Sequence, residues 1–217
     1  DHEVLAQTQK RINTVRPLIE RIHRIYAAGI SVTAGFIIGF DSEPTGVDEK
    51  LIPFIRESGI SLAMVGLLTA LPNTQLTRRL GREGRLISTD HRRIESSEED
   101  YRLRISVGVD QTIGGLNFVT VRDRVEIYQE LSRVITDIYS PSAFMSRVLD
   151  TARRLDLNSR HQPNAWEWRR MLRGFAHVSW SLTMNRRTRW HYLKTAWKAM
   201  WLGFQKFEFA HTTLGAF

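Results

Sequence analysis

The chain has 217 residues, 42% of them hydrophobic, with 31 Lys and Arg against 23 Asp and Glu, so it carries a formal charge of +8. This length and apolar content predict one large or two small globular domains and argue against wholesale disorder. The absence of cysteine excludes a disulfide framework, a thiolate zinc site, a cysteine-ligated iron–sulfur cluster and a thiol nucleophile within these residues. The apolar runs are shorter than the roughly 18 residues that a membrane span needs, and no signal peptide opens the chain, so a cytoplasmic location is expected.

The positive charge is concentrated in the last third of the chain. Residues 151–217 hold 12 Lys and Arg against three acidic residues, whereas the preceding residues are nearly neutral, with 19 against 20. All six tryptophans also lie in the last third. This change in composition, with the patterns below, predicts three regions: 1–88, a linker with short extended segments at 89–121, and a helical, basic, Trp-rich region at 122–217.

The first region alternates helix and strand signals. Apolar residues recur at helical spacing from Ile12 to Tyr26, and Ile30 to Phe40 is a nearly continuous apolar run, typical of a strand buried in a parallel sheet. A second helix is predicted from Thr45 to Gly59, a second strand over Ser61 to Leu68, and a third helix over about Thr74 to Glu83. This order predicts a β/α architecture with a parallel sheet.

The rest of the chain is predicted to be mainly helical. Short extended pieces are expected near Leu103 to Val109 and Asn117 to Val121. Helices are expected over Val125 to Ile138, after the Ser140-Pro141 cap, over Trp166 to Thr183, and from Arg189 to about Phe209. The seven histidines show no paired spacing typical of a metal site.

The segment from Gly35 to Glu43 combines a glycine-containing strand with a polar turn. One interpretation is a buried strand whose glycines allow close helix packing, and spacing alone favours it. The other interpretation starts from the polar residues Asp41 and Ser42, which would lie at the carboxyl end of a parallel strand, where β/α barrels bind ligands. Glycine in that strand would let a flat ligand lie against the backbone. The same two interpretations apply to the segment from Gly66 to Thr74.

Several segments resemble one enzyme family in content and in order. Ala34 to Asp41 (AGFIIGFD), Phe54 to Ile60 (FIRESGI), Ala63 to Thr74 (AMVGLLTALPNT) and Glu83 to Leu86 (EGRL) resemble the later barrel strands of cobalamin-binding radical S-adenosylmethionine enzymes. Leu116 to Val119, Ile138 to Pro141 and the stretch from Arg189 to Phe217 resemble the C-terminal extension of the same group, which includes hopanoid methylase-like proteins. The resemblance implies an α/β fold: a partial, half β/α barrel with parallel strands, followed by a mainly α-helical extension.

The resemblance also implies a cofactor site. In the family, a Gly-x-Ile-x-Gly-x-x-Glu-type motif packs against the adenine of S-adenosylmethionine, and this chain matches it at Gly35, Ile37 and Gly39. Ser42 stands where the general motif has glutamate, and Glu43 follows one residue later. The cofactor-binding residues implied are Gly35, Ile37, Gly39, Asp41, Leu68 and Leu71.

The family's CxxxCxxC loop, early strands and cobalamin domain have no counterpart in these 217 residues. The chain alone is therefore expected to hold no cofactor and to be catalytically incomplete, because radical chemistry needs an iron with an open coordination position. S-adenosylmethionine, an iron–sulfur cluster and cobalamin are implied for the complete family protein. The first predicted strand would expose an unpaired edge, so a missing N-terminal half or another protein is expected to cover it.

The last third offers a second candidate surface, where tryptophans at helical spacing alternate with cations. Its residues are Arg187, Arg189, Trp190, Lys194, Trp197, Lys198 and Trp201. One interpretation is a helix buried against its own domain, with a solvated basic face. The other is an interfacial helix that contacts an anionic membrane surface from the cytoplasmic side. Nucleic acid ranks third among the partners because no recognised nucleic-acid motif supports it.

Two functional hypotheses remain. The first is the C-terminal portion of a cobalamin-dependent radical enzyme that carries out radical methyl transfer or rearrangement on an apolar substrate. The second is a cluster-less relic that serves as a non-catalytic binding or assembly subunit, at a membrane surface or in a larger complex.

Overall fold

The computed structural model describes residues 18–87, 115–157 and 164–216, and these form an α/β structure dominated by helices. The helices are α1 (Leu18–Ala27), α2 (Val47–Ser58), α3 (Gln75–Arg82), α4 (Arg124–Ile138), α5 (Pro141–Arg154), α6 (Ala165–Met184), α7 (Arg189–Met200) and α8 (Phe204–Leu214). The strands are β1 (Thr33–Ile38) and β2 (Leu62–Leu67). The alternation of helix and strand expected for the first region is confirmed. The strand expected at Leu103 to Val109 lies outside the described residues.

The two strands are parallel neighbours in one sheet, and α2 connects them. At their carboxyl ends the N–H of Leu68 donates to the carbonyl of Ile38 at 2.8 Å. A further extended segment continues this pairing, because the N–H of Leu116 donates to the carbonyl of Leu68 at 3.0 Å. Phe118 in the same segment forms an antiparallel bridge with Leu86. The parallel α/β arrangement is thus confirmed, whereas the half barrel stays a prediction.

Local signals set the helix ends. The side chain of Ser140 accepts a hydrogen bond from the N–H of Ala143, and Pro141 occupies the first turn of α5, where its missing N–H costs nothing. The prediction of one continuous helix from Arg189 to about Phe209 is wrong. This stretch is divided into α7 and α8 at Gly203, whose φ of 101° is accessible to glycine but strained for other residues.

The chain forms two compact units whose segments alternate in sequence. Of the described residues, the first unit contains 35–52, 64–87 and 115–136, and the second contains 18–34, 53–63, 137–157 and 164–216. The core of the first unit contains buried side chains from α3, α4 and the extended segment, among them Leu80, Leu116, Phe118, Ile127 and Leu131.

The second unit is built mainly from helices. Helices α5, α7 and α8 contact one another around a cluster of buried side chains. The cluster contains Phe144, Met145, Val148, Leu149, Ala152, Leu182, Tyr192, Ala199, Ala210 and Leu214. Half of it comes from α5, whose apolar face is therefore buried.

Candidate functional site

One face of the two-stranded sheet is exposed. Side chains alternate between faces along a strand, so Gly35 and Ile37 of β1 point to one side and Ile38 points to the other. Ile37 is 54% exposed and Met64 of β2 is 65% exposed, whereas Ile38 and Leu67 are buried. The sheet therefore presents an apolar face with no covering side chains from the described part of the chain.

The two glycines of the motif differ in what surrounds them. A Cβ added to Gly35 would meet nothing within 4 Å, so the backbone here is open on that side. A Cβ added to Gly39 would lie 2.9 Å from Cδ2 of Leu116, and the φ of Gly39 is 108°. Gly39 is thus required by close packing and by its backbone conformation, whereas Gly35 leaves room for a flat group against the strand.

Glu43 supports the turn after β1 from within. Its Oε2 accepts hydrogen bonds from the N–H groups of Gly39 at 2.7 Å and Phe40 at 3.3 Å. The side chain is buried, and this burial raises the pKa of the carboxyl group against the lowering effect of those two bonds. Sequence reasoning noted that Glu43 is displaced by one residue from the motif position but did not include it among the site residues.

A buried ion pair lies close to Glu43. Arg122 donates to Glu130 at 2.6 Å, and the same carboxylate oxygen accepts from the N–H of Gly46 at 2.7 Å. Arg122 and Glu130 also act electrostatically on Glu43. The loop that follows β1 is therefore held by α4 and by the residues just before it.

Asp41 is engaged by two arginines. Arg85 donates to both of its carboxylate oxygens, at 2.7 and 2.9 Å, and Arg79 donates to Oδ2 at 2.8 Å. These bonds, chiefly those from Arg85, lower the pKa of Asp41. Asp41 thus joins the end of β1 to α3 and to the turn that follows α3.

The predicted leucines lie at the end of β2. Leu68 is buried and uses its backbone in the sheet, and Leu71 is 59% exposed. Between them, the side-chain amide of Asn117 makes two hydrogen bonds with the backbone of Ala70, at 2.8 and 3.0 Å. Asn117 thereby fixes the turn that carries Leu71, and its position within a resembling segment was the only sequence signal for it.

The second candidate surface lies on α7. An ordinary surface helix buries its large apolar residues, whereas α7 exposes them. Its buried stripe is Tyr192, Thr195 and Ala199, which includes the smaller and more polar residues. Its large apolar residues face outward, and we call them the tryptophan surface: Trp190, Leu193, Trp197, Met200 and Trp201, which are 43–75% exposed. The interpretation of these residues as a helix face buried against its own domain is therefore wrong, because α7 packs on its neighbours through Tyr192, Thr195 and Ala199 instead.

Cations border the tryptophan surface. Arg187, Lys194 and Lys198 are exposed, and Arg189 is partly buried because its Nε donates to the carbonyl of Thr183 at 2.8 Å. The structure thus brings the predicted tryptophans and basic residues together on and beside one helix. In the described ranges, no helix combines the length and the apolar composition that crossing a bilayer requires.

Metal ligands are not grouped in these parts of the chain. Within residues 18–87, 115–157 and 164–216, no three His, Asp or Glu side chains are arranged to hold a metal ion. The chain also contains no cysteine. The residues present therefore do not fit an iron–sulfur cluster.

Comparison with protein families gives one match, which covers most of the chain. The model described as a domain of unknown function, DUF4070, matches residues 74–216. This range includes Asn117, Glu130 and the tryptophan surface. No solved structure matches the chain.

Two curated proteins are similar to parts of the chain. An uncharacterized methyltransferase of Synechocystis sp. is 31% identical over 147 residues, which are 68% of this chain and 24% of the relative. The hopanoid C-2 methylase of Rhodopseudomonas palustris is 40% identical over 92 residues, which are 42% of this chain and 18% of that protein. The chain thus spans about a quarter or less of the curated relatives it matches.

Proposed function

Because the chain belongs to the DUF4070 family, a domain of cobalamin-binding radical S-adenosylmethionine proteins, we propose that it is the C-terminal portion of a radical methylase. The relatives named as a methyltransferase and a hopanoid methylase support this methylase relationship. The reaction of the complete protein would be radical methyl transfer or rearrangement on an apolar substrate. Within the chain, residues 1–88 would contribute the later part of a β/α barrel and residues 122–217 the helical extension.

The observation that carries this proposal is the open apolar face of β1 and β2. Gly35 and Ile37, which match the family's adenine-packing motif, lie on this face, and nothing within 4 Å fills the space beside Gly35. Ile37 would pack against the adenine ring, with Leu71 at the edge of the same site. Gly39 and Glu43 would shape the turn rather than touch the cofactor, and Leu68 would hold the strand end.

Asp41 would act through its arginines. With both oxygens engaged by Arg85 and one also by Arg79, its role would be to hold the loop after β1 in place beside the cofactor. A remaining acceptor direction on Oδ1 would still be available to a ribose hydroxyl.

The metal chemistry would be supplied from outside these residues. An iron–sulfur cluster with an open coordination position supplies the electron for radical chemistry. Because the chain has no cysteine, such a cluster would be held by residues other than these 217. The chain by itself would be catalytically incomplete, and the missing barrel strands would cover the edge of its sheet.

Calorimetry with S-adenosylmethionine tests the proposal. The titration would use the chain together with the N-terminal region of the Synechocystis relative, which on this proposal would supply the rest of the barrel. Gly35→Val should abolish binding without unfolding the chain, because valine suits a strand and meets no neighbour. Ile37→Ala should weaken binding roughly tenfold, because about two methylene groups of contact at about 0.8 kcal/mol each would be lost.

Val121→Ala is the matched control for Ile37→Ala, since Val121 is also largely exposed, at 70% against 54%, but lies outside the motif. Equal affinity of the Gly35→Val variant and the unaltered protein would contradict the assignment of the sheet face. The absence of heat with the reconstituted pair would contradict the proposed function itself.

The tryptophan surface favours a second function, attachment to an anionic membrane surface. Its tryptophans lie outside the core, with Lys194 and Lys198 on the same helix, and this combination suits the boundary between lipid headgroups and acyl chains. Such attachment would place the site near apolar substrates, or would be the main role of the chain if it acts as a non-catalytic assembly subunit.

Vesicle sedimentation tests this attachment. Binding to vesicles that contain phosphatidylglycerol should fall with added salt and should weaken by about 2 kcal/mol in Lys194→Gln/Lys198→Gln, at roughly 1 kcal/mol per cation. The double variant Arg24→Gln/Arg78→Gln removes the same charge from exposed positions elsewhere and should change binding much less. Equal loss in both double variants would indicate non-specific attraction and would contradict a role for this surface.

A further inference from the structure

A polar cavity lies at the N-terminal end of α5, within the second compact unit. Its volume is about 350 Å³. The polar residues that line it are Arg56, Ser140, Ser142, Ser146, Arg147 and Asp150. None of these residues belongs to the sheet face or to the tryptophan surface, so the functions proposed above leave the cavity unexplained.

Arg147 is unusual among the residues that line this cavity because it is only 2% exposed. Its Nε donates to the carbonyl of Ile60 at 3.0 Å, but Nη1 and Nη2 are buried and have no hydrogen-bond partner. Its guanidinium lies 5.9 Å from the ring centres of both Tyr139 and Phe144. Aromatic rings stabilise the charge but accept none of its strong hydrogen bonds, so two donors remain unsatisfied.

The guanidinium remains charged despite its burial. Desolvation lowers the pKa of Arg147 to about 10, which is still well above neutral pH. A buried cation without an acceptor is costly, and structures normally supply one. Nη1 and Nη2 have almost no exposed area, so an incoming anion would reach them through a small displacement of the side chains that cover them, and it would then provide the acceptors that they lack.

The other charges around the cavity are already paired. Arg56 donates to both oxygens of Asp137 at 2.7 Å, and Asp150 accepts from Arg153 at 3.1 Å. Among the described residues that line the cavity, Arg147 is thus the charged group without an ionic partner. The balance of charge in the cavity is therefore positive.

The remaining donors converge on the same end of α5. Ser142 and Ser146 are exposed one turn apart, and the first turn of an α-helix points N–H groups toward an anion. The Ser140 hydroxyl contributes less, because it already donates to the carbonyl of Asp137 and caps Ala143. Serine hydroxyls, helix N–H groups and a guanidinium fork are the usual ligands of a phosphate group.

We propose that this cavity binds a phosphate group, with Arg147 as its principal ligand and Ser142 and Ser146 as hydroxyl donors. The volume is about ten times the roughly 30 Å³ that one water molecule occupies in the liquid, so it accommodates phosphate together with part of the molecule that carries it. The phosphate could belong to free inorganic phosphate, a soluble phosphomonoester or a lipid headgroup, which share this chemistry.

Titration calorimetry in a phosphate-free buffer tests the proposal with three probes on the 217-residue chain. They are inorganic phosphate, glycerol 3-phosphate, and phosphatidylcholine vesicles that contain phosphatidic acid. The probe that binds most tightly identifies the source of the phosphate. Arg147→Met should weaken binding of that probe by at least about tenfold, since a charge-assisted hydrogen bond contributes roughly this factor.

Arg154→Met is the matched control, because Arg154 is exposed on the same helix and neither lines the cavity nor forms an ion pair with Asp150, and binding should stay within about twofold. The double variant Ser142→Ala/Ser146→Ala alters only exposed side chains, so it should fold even if Arg147→Met does not. It should weaken binding several-fold. A vesicle signal supports the proposal only if these cavity variants reduce it. Failure of the unaltered chain to bind any of the three probes would overturn the proposal, and so would equal binding by the serine variant and the Arg154→Met control.

Discussion

Replacing Asp41 by asparagine tests whether the arginine bridge holds the loop after β1. The substitution keeps the size of the side chain but removes the charge that Arg85 and Arg79 engage. Hydrogen bonds to charged groups contribute about 1.5–3 kcal/mol. Asp41 and Arg85 keep 22% and 19% of their side chains exposed, so solvent screening favours the lower end. We therefore expect Asp41→Asn to lower the free energy of unfolding by about 1.5 kcal/mol at neutral pH.

The cost of Asp41→Asn should depend on pH and should become smaller in acid. Arg85 lowers the pKa of Asp41 in the folded state, so the bridge contributes fully above the ordinary value of 3.8 and is lost as the pH falls through the lower, folded value. Urea denaturation followed by circular dichroism, at neutral pH and then below 3.8, measures this difference.

The control is Asp150→Asn, which removes an exposed i,i+3 pair with Arg153 and should cost less than about 0.5 kcal/mol. If Asp41→Asn cost no more than this control at neutral pH, or if its cost did not shrink in acid, the bridge would not be holding the loop.

Four further substitutions probe the packing within the two units. Gly39→Ala should destabilise the chain by about 2 kcal/mol because of its positive φ, whereas Gly35→Ala should be neutral or stabilising by less than about 1 kcal/mol; equal thermal shifts would contradict the packing described. Asn117→Ala should cost about 2 kcal/mol in urea denaturation, since two hydrogen bonds to Ala70 are lost, and a change below about 0.5 kcal/mol would show that water replaces them. Burial lowers the pKa of His211, so its contribution to stability is present above its ordinary 6.5 and is lost as the pH falls through the folded value. His211→Gln should make the melting temperature less dependent on pH between about pH 5 and pH 7. An unchanged slope of melting temperature against pH would show that other groups cause the dependence.

The sequence predicted the elements of the first region because their signals are local. Apolar runs bounded by glycine correspond to β1 and β2, and the Ser140-Pro141 pair begins α5 as expected. The family resemblance was equally local, since it depended on short ordered segments, and the DUF4070 match confirms it. The site residues carried over from that resemblance stay a prediction.

Other features depend on contacts between residues far apart in sequence. The periodicity of α7 predicted an apolar stripe, but only the packing of α5 shows that this stripe faces outward. Asp41 was read as a cofactor residue, yet its arginine partners are 38 and 44 residues away along the chain. The unsatisfied guanidinium of Arg147 has no sequence signal, because an arginine after Ser146 in a helical pattern indicates an ordinary exposed helix position.

The sequence by itself determined the family, the alternation of β and α elements, the absence of cluster ligands and the concentration of positive charge in the last third. Each of these follows from composition or from neighbours along the chain. The tertiary structure alone decided which apolar residues were left exposed, which charges were paired and where a cavity remained. Those outcomes depend on which side chains fill the limited buried volume within each unit, and residue spacing does not encode that packing.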